Sequence, residues 1–393
     1  MDYLFARRIK STRRSVIREI LKLASSQDII SLAGGLPSPD LFPVAELKEA
    51  CIKVLENHGR EALQYSSTEG YWPLREYIAE RYRAKKGIDV TPEEILITNG
   101  SQQGVDLLAR VFLDEGDQVL VERPGYLGAL HAFSLYRPTY QTVTLHEEGV
   151  DVQALERILA HNTVKFFYGV PNFQNPSGIS YSEENRKQVA AILKGHPTLY
   201  VEDDPYGELR FVGKALPSMR HYLGEQAALL GSFSKTVAPA FRLGWVCAET
   251  GIMEKLVIAK QACDLHADYF AQRVVYQYLA DNDLDSHIAE IREVYKRHRD
   301  AMIEMIQKYL PEGIEYTRPE GGMFIWLTLP EGTSSLELLK AAVQKGVSFV
   351  PGGPFFADGG GERHFRLSFS YVNEETIEEG IKRLAMAVEE LCG

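Results

Sequence analysis

The chain has 393 residues, of which 45% are hydrophobic and 25% are charged, a composition that excludes a disordered, collagenous or fibrous protein. Lys and Arg number 43 and Asp and Glu number 54, so the net charge is −11, which argues against nucleic acid or an anionic membrane as a partner. The four cysteines are scattered and form no CxxC pair, so we expect neither a disulfide framework nor a zinc site, and a cytoplasmic location is the simplest expectation.

Short apolar, β-branched runs alternate with longer amphipathic segments through the middle of the sequence. The predicted strands are Ile95–Thr98, Gln118–Val121, Thr139–Thr144, Val164–Tyr168, Thr198–Glu202 and Ala227–Gly231. The predicted helices between them are Gln102–Leu113, Val152–Ala160 and Glu183–Leu193. This alternation indicates an α/β fold in which helices flank a mainly parallel central sheet.

A smaller α+β unit is predicted beyond one long charged helix over Leu284–Leu310. Its expected strands are Gly322–Leu329, Val347–Val350 and His364–Phe369, and its expected helices are Ser335–Lys345 and Glu374–Leu391. A helix over Ser15–Ala24 has no core of its own and is expected to pack on one of the two units. We therefore predict a large domain over residues 50–290 and a small domain formed by residues 1–49 and 291–393.

The most informative segment is Gly231–Lys235, which follows an apolar strand and precedes Arg242. A lysine amine at the sheet edge, partly desolvated and near a cation, would have a lowered pKa and would act as a nucleophile toward an aldehyde. Ser232, Ser234 and Arg242 supply hydroxyls and a guanidinium that suit a phosphate. An ordinary solvated lysine is the alternative for Lys235.

The Thr98–Gln102 segment joins a predicted strand to a predicted helix. Gly100 allows close backbone approach, and the N–H groups of Ser101 and Gln102 would point from the helix N-terminus toward an anion. An ordinary turn with a serine N-cap fits the same residues.

Another strand ends in three acids, Glu202, Asp203 and Asp204, followed by Tyr206. Open α/β sheets bind ligands beyond the carboxyl ends of their strands, so an acid there can hold a pyridine nitrogen in its protonated form. We select Asp203, because it stands three residues before Tyr206, whose hydroxyl would reach a ring oxygen. We expect Glu202 and Asp204 to belong to a solvated acidic loop.

Two more polar residues stand at informative places. Asn175 follows the Val164–Tyr168 strand and is placed to donate to a ligand oxygen. Arg366 lies inside an otherwise apolar strand, where an arginine either pairs with an internal carboxylate or binds the carboxylate of a substrate.

Together these segments resemble the pyridoxal-phosphate-dependent aminotransferases of fold type I, class I/II, in the branch of 2-aminoadipate and kynurenine aminotransferases. The similarity runs nearly end to end. The motifs that carry it are Ser15–Glu19, Leu32–Pro37, Asn175–Gly178, Asp203–Tyr206, Ser232–Lys235 with Arg242, Val350–Phe356 and Arg366.

The resemblance implies a role for each matching residue, with pyridoxal 5'-phosphate as the cofactor. Lys235 would form the Schiff base, and Asp203 would pair with the pyridine nitrogen. Asn175 and Tyr206 would contact the ring hydroxyl, and Tyr126 would stack on the ring. The residues expected to hold the phosphate are Gly100, Ser101, Gln102, Ser232, Ser234 and Arg242, joined across a homodimer interface by Tyr65. Arg366 would bind the substrate α-carboxylate and Gly35 would line the substrate entrance.

The implied activity is ping-pong transamination between an L-amino acid and a 2-oxo acid such as 2-oxoglutarate. The expected amino donors are 2-aminoadipate, glutamate and aromatic or branched apolar amino acids. Arg18, on the predicted N-terminal helix, would meet a distal carboxylate and swing away for an apolar side chain. A single exposed charge on an amphipathic helix is the equally weighted alternative for Arg18.

Two other functions are compatible with the same motifs. A pyridoxal-phosphate-dependent β-lyase or racemase would use the same lysine, aspartate and phosphate site, because the cofactor carries the chemistry. A non-catalytic regulator module would carry a DNA-binding domain ahead of this region, and about 14 residues precede the first predicted helix here, too few for such a domain.

Overall fold

A computed structural model of the chain describes residues 4–11 and 29–392. Its centre is an eight-stranded sheet in the order β2-β9-β8-β7-β6-β3-β4-β5. The strands are β2 (Ile95–Asn99), β3 (Gln118–Arg123), β4 (Thr139–His146), β5 (Gly149–Val150), β6 (Val164–Gly169), β7 (Leu199–Asp203), β8 (Ala227–Ser232) and β9 (Leu243–Cys247). Strands β8, β7, β6, β3 and β4 run parallel to one another, whereas β9 pairs antiparallel with both β2 and β8. The predicted α/β fold is therefore confirmed, as a mixed sheet with a parallel centre.

Strand β9 is absent from the prediction because its first residues were assigned to the loop that carries Arg242. A Cβ atom on Gly244 would lie 2.5 Å from the backbone nitrogen of Ser101, so glycine is needed for β9 to pass beside the start of the next helix. Apart from β9 and the two-residue β5, each strand of this sheet overlaps its predicted segment within two residues at either end.

Helices cover both faces of this sheet. They are α2 (Val44–Ala62), α3 (Trp72–Lys86), α4 (Ser101–Phe112), α5 (Leu127–Ser134), α6 (Val152–His161), α7 (Glu183–Leu193), α8 (Met219–Leu223), α9 (Thr250–Asp264) and α10 (Tyr269–Asp281), and a short α1 (Arg7–Ser11) lies near the N-terminus. Helix α7 shows why they form, because Ser182 caps its N-terminus by accepting from the Asn185 N–H, and Val189, Ala190 and Leu193 face the core. The prediction includes α4, α6 and α7 and lacks α2, α3, α5, α8, α9 and α10.

A second, four-stranded antiparallel sheet follows the long helix α11 (Leu284–Tyr309). Its strands, in the order β10-β11-β14-β13, are β10 (Glu315–Tyr316), β11 (Phe324–Thr328), β13 (Val350–Pro351) and β14 (His364–Ser368). A separate parallel pair joins β1 (Ile30–Ser31) to β12 (Val347–Ser348), and the helices of this unit are α12 (Ser335–Gln344) and α13 (Glu374–Cys392). This is the predicted smaller α+β unit.

The two units meet next to the carboxyl ends of the parallel strands. The Gly125 N–H, just after β3, donates to the Phe355 carbonyl at 2.8 Å, and Arg210 forms an ion pair with Glu320. The predicted helix Ser15–Ala24 lies outside the described residues. Among the helices of the described ranges, none is both long enough and apolar enough to cross a bilayer.

Candidate active site

One edge of the central sheet collects most of the residues selected from the sequence. The parallel strands β3, β6, β7 and β8 all end there, and helix α4 begins there. The selected residues that follow these strand ends are Tyr126, Asn175, Asp203, Tyr206, Ser232, Ser234 and Lys235. Because parallel strands share one carboxyl edge, segments far apart in the sequence converge on a single site.

Lys235 ends a short 3-10 turn, Phe233–Lys235, that directly follows β8. Ser232 shapes this turn, since its Oγ accepts from the Ser234 N–H at 3.0 Å. Lys235 Nζ donates to the Gly35 carbonyl at 2.7 Å, which joins the turn to the N-terminal Leu32–Pro37 segment. Burial and the nearby charges of Arg366 and Arg242 lower the pKa of Lys235 to about 8. Such an amine is largely neutral above about pH 8 and keeps a far larger neutral, nucleophilic fraction near neutral pH than an ordinary lysine.

In the cofactor-free protein we expect the reaction of Lys235 with acetaldehyde and cyanoborohydride to have an inflection near pH 8. Only the neutral amine attacks, so the rate rises with pH through this value and falls below it. The measurement is the alkylation rate of the Lys235 peptide by mass spectrometry. Arg242→Leu should move the inflection upward, because it removes a positive charge that lowers the pKa. An inflection near the ordinary lysine value of 10.5 would contradict this account.

Asp203 is the last residue of β7 and is 2% exposed. Its Oδ2 accepts from the Tyr168 hydroxyl at 2.5 Å, while its Oδ1 is buried and has no partner in the described part of the chain. Burial raises the pKa of Asp203 to about 7, against the opposing hydrogen bond from Tyr168. A buried carboxylate oxygen without a donor indicates a place for a ligand N–H group.

The two acids beside Asp203 have other partners. Glu202 is fully buried and accepts from the Ser218 hydroxyl at 2.5 Å and the Met219 N–H at 2.8 Å. Asp204 accepts from Lys86 at 3.0 Å and from Asn172 at 2.8 Å. The expectation of a solvated acidic loop is therefore wrong for both residues, because Glu202 is buried and hydrogen-bonded and Asp204 forms an ion pair with Lys86.

Arg366 lies in β14 of the smaller sheet and is 2% exposed. Its Nη1 donates to Asn175 Oδ1 at 2.7 Å and its Nη2 to the Ala33 carbonyl at 2.6 Å. The guanidinium stands over the Phe324 ring at 4.3 Å, and Nε is buried without a partner. Burial lowers the pKa of Arg366 to about 10, and within residues 4–11 and 29–392 no carboxylate forms an ion pair with it. The internal ion pair expected as the alternative does not occur among these residues, so the guanidinium retains capacity for an external carboxylate.

The N-terminus of α4 and Arg242 form one end of the site. Gly100 is the N-cap residue with φ of 73°, and a Cβ atom there would clash with Arg242 Nη2. The guanidinium therefore packs directly against the helix start, beside Ser101 and Gln102. Ser232 Oγ donates to Ser234 Oγ at 2.9 Å. A helix N-terminus, a guanidinium and two hydroxyls together suit a phosphate group.

Tyrosines enclose the rest of the site. Tyr126 is the N-cap residue of α5 and its hydroxyl lies 3.5 Å from Gln102 Oε1; burial raises its pKa to about 12. Tyr206 is buried, accepts from Asn175 Nδ2 at 3.4 Å and packs edge-on to Phe324 with ring centroids 5.8 Å apart. Gly35 also touches Phe324, since a Cβ atom at Gly35 would lie 2.8 Å from that ring.

Comparison with known proteins is decisive at this point. The sequence profile of the family described as "Aminotransferase class I and II" matches residues 27–384. The chain belongs to this family. Pyridoxal phosphate is the cofactor of these enzymes, and the residues present fit it. The unpartnered Asp203 Oδ1 suits its ring nitrogen, the Lys235 amine suits its aldehyde, and the Gly100–Arg242 end of the site suits its phosphate.

Individual relatives are named for related activities. The aminotransferase is 44% identical over 398 residues to "Aromatic-amino-acid aminotransferase 1" of Thermococcus litoralis, covering 99% of this chain and 95% of the relative. A solved structure of α-aminoadipate aminotransferase from Thermus thermophilus, complexed with N-(5'-phosphopyridoxyl)-L-leucine, shares 42% identity and a TM-score of 0.93, covering 99% and 98% of the two chains. A kynurenine aminotransferase structure from Pyrococcus horikoshii shares 44% identity and a TM-score of 0.94, covering 98% and 97%.

One selected residue of the aminotransferase, Tyr65, is not brought into the site by the described residues. Tyr65 is 80% exposed and its ring meets the edge of His266 with centroids 5.8 Å apart. The expected role of Tyr65 is one across a subunit interface. A second selected residue, Arg18, lies outside the described residues.

Sequence reasoning also missed residues that shape the site. Tyr168 and Phe324 are buried in strands and are typical of core packing when seen in sequence. Only the pairing of Tyr168 with Asp203, and of Phe324 with Arg366, distinguishes them from other core aromatics. The position of Tyr168 at the end of a parallel strand, two strand ends away from Lys235, is the one signal that could have identified it.

Proposed function

We propose that this aminotransferase moves an amino group between an L-amino acid and a 2-oxo acid such as 2-oxoglutarate by a ping-pong mechanism. The observation that supports this most directly is the buried Lys235 amine near two cations, Arg366 and Arg242, whose charges help to lower its pKa. One cation is suited to the phosphate of the cofactor and the other to the α-carboxylate of a substrate. An amine near both groups is placed to act at the substrate Cα, which carries the α-carboxylate and is linked through its amino group to the cofactor.

The proposed cofactor contacts follow the groups that each residue presents. Asp203 Oδ1 would accept from the ring nitrogen, Asn175 and Tyr206 would contact the ring hydroxyl, and Tyr126 would stack on the ring. The residues proposed to hold the phosphate are Gly100, Ser101, Gln102, Ser232, Ser234 and Arg242, with Tyr65 of the partner subunit. When bound, the cofactor supplies the aldehyde and an electron sink for the electron pair left at the substrate Cα.

Lys235 and Arg366 carry the proposed proton transfer. Arg366 binds the substrate α-carboxylate through its guanidinium and orients the Cα–H bond toward Lys235. Lys235 Nζ, once free of the cofactor aldehyde, accepts the Cα proton as a general base and delivers it to the adjacent reacting carbon. Gly35 lines the entrance, and its carbonyl accepts from Lys235 Nζ at 2.7 Å, which places the lysine beside the entrance.

The proposed donors are 2-aminoadipate, glutamate and aromatic or branched apolar amino acids. The activities named for the relatives, and the leucine adduct in the Thermus structure, support this range. Arg18 is proposed to bind the distal carboxylate of an acidic donor and to move aside for an apolar side chain. One site would then accept both acidic and apolar amino donors.

We expect glutamate to convert the bound cofactor to its amine form and 2-oxoglutarate to restore the aldehyde form, with matching absorbance changes. A panel of amino donors with 2-oxoglutarate, followed by product analysis, measures both the activity and the substrate range. Release of pyruvate and ammonia from cysteine conjugates without that absorbance cycle would instead support a β-lyase, and loss of stereochemistry alone a racemase.

We also propose that the active unit is a homodimer in the cytoplasm, with large and small domains over residues 50–290 and over 1–49 with 291–393. Exposed apolar side chains support the dimer, because Leu63 and Leu265 are exposed and stand next to the Tyr65–His266 contact in sequence. The isolated, unpaired cysteines Cys51, Cys247 and Cys263 support a reducing compartment.

A further inference from the structure

A buried polar cluster lies behind the site, between the segment that carries Tyr126 and the segment that carries Asn175. Its central members are Glu122, in β3, and Gln174, in the loop after β6. Glu122 is 1% exposed and Gln174 is 0% exposed. The polar side-chain atoms of both residues are bonded to other protein groups, so neither belongs to the contacts proposed above.

Glu122 accepts hydrogen bonds from three donors. Its Oε1 accepts from the Val170 N–H at 2.9 Å and from the Tyr181 hydroxyl at 2.5 Å. Its Oε2 accepts from Gln174 Nε2 at 3.0 Å. Burying a carboxylate is unfavourable unless its oxygens accept hydrogen bonds. Here those hydrogen bonds connect β3 to the segment that follows β6.

Gln174 uses the full hydrogen-bonding capacity of its amide. Nε2 donates to Glu122 Oε2 and to the Pro124 carbonyl, the latter at 2.7 Å. Oε1 accepts from the Ser177 N–H at 2.9 Å and the Ser177 hydroxyl at 2.7 Å. An amide has two N–H donors and an oxygen with two lone pairs, and a carboxylate or an apolar side chain of the same size cannot make this set.

The two segments joined by this amide each carry a site residue. Pro124 stands two residues before Tyr126, and Gln174 directly precedes Asn175, whose side chain contacts both Arg366 and Tyr206. We propose that Glu122 and Gln174 are positioning residues that hold Tyr126 and the Asn175–Arg366 pair at a fixed spacing on either side of the cofactor. This inference rests on the proposed function, because it assumes the cofactor and substrate contacts proposed there.

The test replaces Gln174 by Glu and by Leu in the full-length holoenzyme, with Gln226→Leu as the matched control. Gln226 Nε2 donates to the Leu193, His196 and Thr198 carbonyls. Gln226 directly precedes β8, so it lies at the amino end of that strand, whereas the site lies at the carboxyl end. We expect each Gln174 variant to raise the dissociation constant of pyridoxal phosphate for the stripped enzyme at least about tenfold and to lower kcat/KM about 10- to 100-fold. Gln226→Leu should lower the melting temperature and change both quantities by less than about threefold.

An exchange variant separates positioning from simple loss of stability. In Glu122→Gln/Gln174→Glu, the amide at 122 donates to the carboxylate at 174, so the contact between the two side chains returns while the Pro124 carbonyl stays without its donor. We expect this double variant to bind pyridoxal phosphate at least about threefold more tightly than Gln174→Glu alone. No recovery in the double variant, or unchanged cofactor affinity in both Gln174 variants, would overturn the inference.

Failure of the inference and failure of the proposed function give different results. Cofactor affinity of the stripped enzyme is measured without any amino donor, so it reports on Glu122 and Gln174 whatever reaction follows. If the wild-type enzyme turns over no amino donor with 2-oxoglutarate, the proposed function fails on its own. If it does turn over and the Gln174 variants match Gln226→Leu in every quantity, the inference fails on its own.

Discussion

Replacing Lys235 by alanine is expected to lower kcat/KM by at least about 10⁴-fold, because one side chain supplies both the nucleophile and the general base. Its neighbours in the site offer no substitute amine, since the basic groups beside it are the guanidiniums of Arg366 and Arg242. Borohydride reduction of the wild-type holoenzyme should attach the cofactor to the peptide that contains Lys235. The same treatment of Lys235→Ala should leave that peptide unmodified.

Two further variants determine whether the amine or only its charge is needed. Lys235→Arg keeps a positive charge but cannot provide a neutral nitrogen near neutral pH, so it should be as inactive as Lys235→Ala. Lys194→Ala, at an exposed lysine after α7, removes a lysine from a place away from the site and should retain full activity. A reducible cofactor adduct at the same site in Lys235→Ala would refute the assignment of Lys235.

Asp203→Asn is expected to lower kcat by about 10²- to 10⁴-fold, because an amide cannot stabilise a protonated ring nitrogen as a carboxylate does. The side chain keeps its shape, and Tyr168 still finds an acceptor oxygen, so the fold should change little. The measurements are kcat for the preferred donor and the absorbance of the bound cofactor. The ionisation state of the ring nitrogen alters that absorbance, which a purely structural change would leave alone.

Asp204→Asn is the matched control, since it makes the same chemical change one residue away. It leaves the partly buried Lys86 without its carboxylate partner, so the melting temperature should fall. The cofactor absorbance should stay unchanged and kcat should stay within about threefold, because Asp204 faces Lys86 and Asn172. The reverse pattern, in which Asp204→Asn loses kcat and Asp203→Asn does not, would show that the wrong acid was selected.

Much of the fold was predictable because its pattern is local. The strands β3, β4, β6, β7 and β8 are runs of apolar and β-branched residues bounded by turn residues, and they form where the sequence predicts them. Strand β9 and helices such as α10 were not predictable in the same way. Strand β9 contains Gly244, whose need for a glycine comes from contact with Ser101 more than 140 residues earlier in the chain.

The residues of the site also differ in whether a local sequence pattern could predict them. Lys235, Ser232 and Arg242 form a compact motif whose chemistry is visible in sequence. The sequence does not show which of Glu202, Asp203 and Asp204 belongs to the site. Successive strand residues point to opposite faces, and only the packing shows that Lys86 contacts Asp204 and Tyr168 contacts Asp203. The Glu122–Gln174 contact joins residues 52 positions apart, so no local sequence pattern predicts it.

The sequence by itself determined an acidic chain, an α/β fold and a resemblance to a family that the comparisons then established. It also indicated a lysine, two arginines and groups suited to a phosphate at strand ends. The tertiary structure decided the partners of these groups. Asp203 Oδ1 and Arg366 Nε are buried at the site without a partner among the described residues. Asp204 is paired with Lys86, and Glu202 accepts from Ser218 and the Met219 N–H through Oε2 while its Oε1 has no partner there. The physical reason is that periodicity and propensity act over a few residues, whereas hydrogen-bond satisfaction in a buried site depends on segments that only the folded chain brings together.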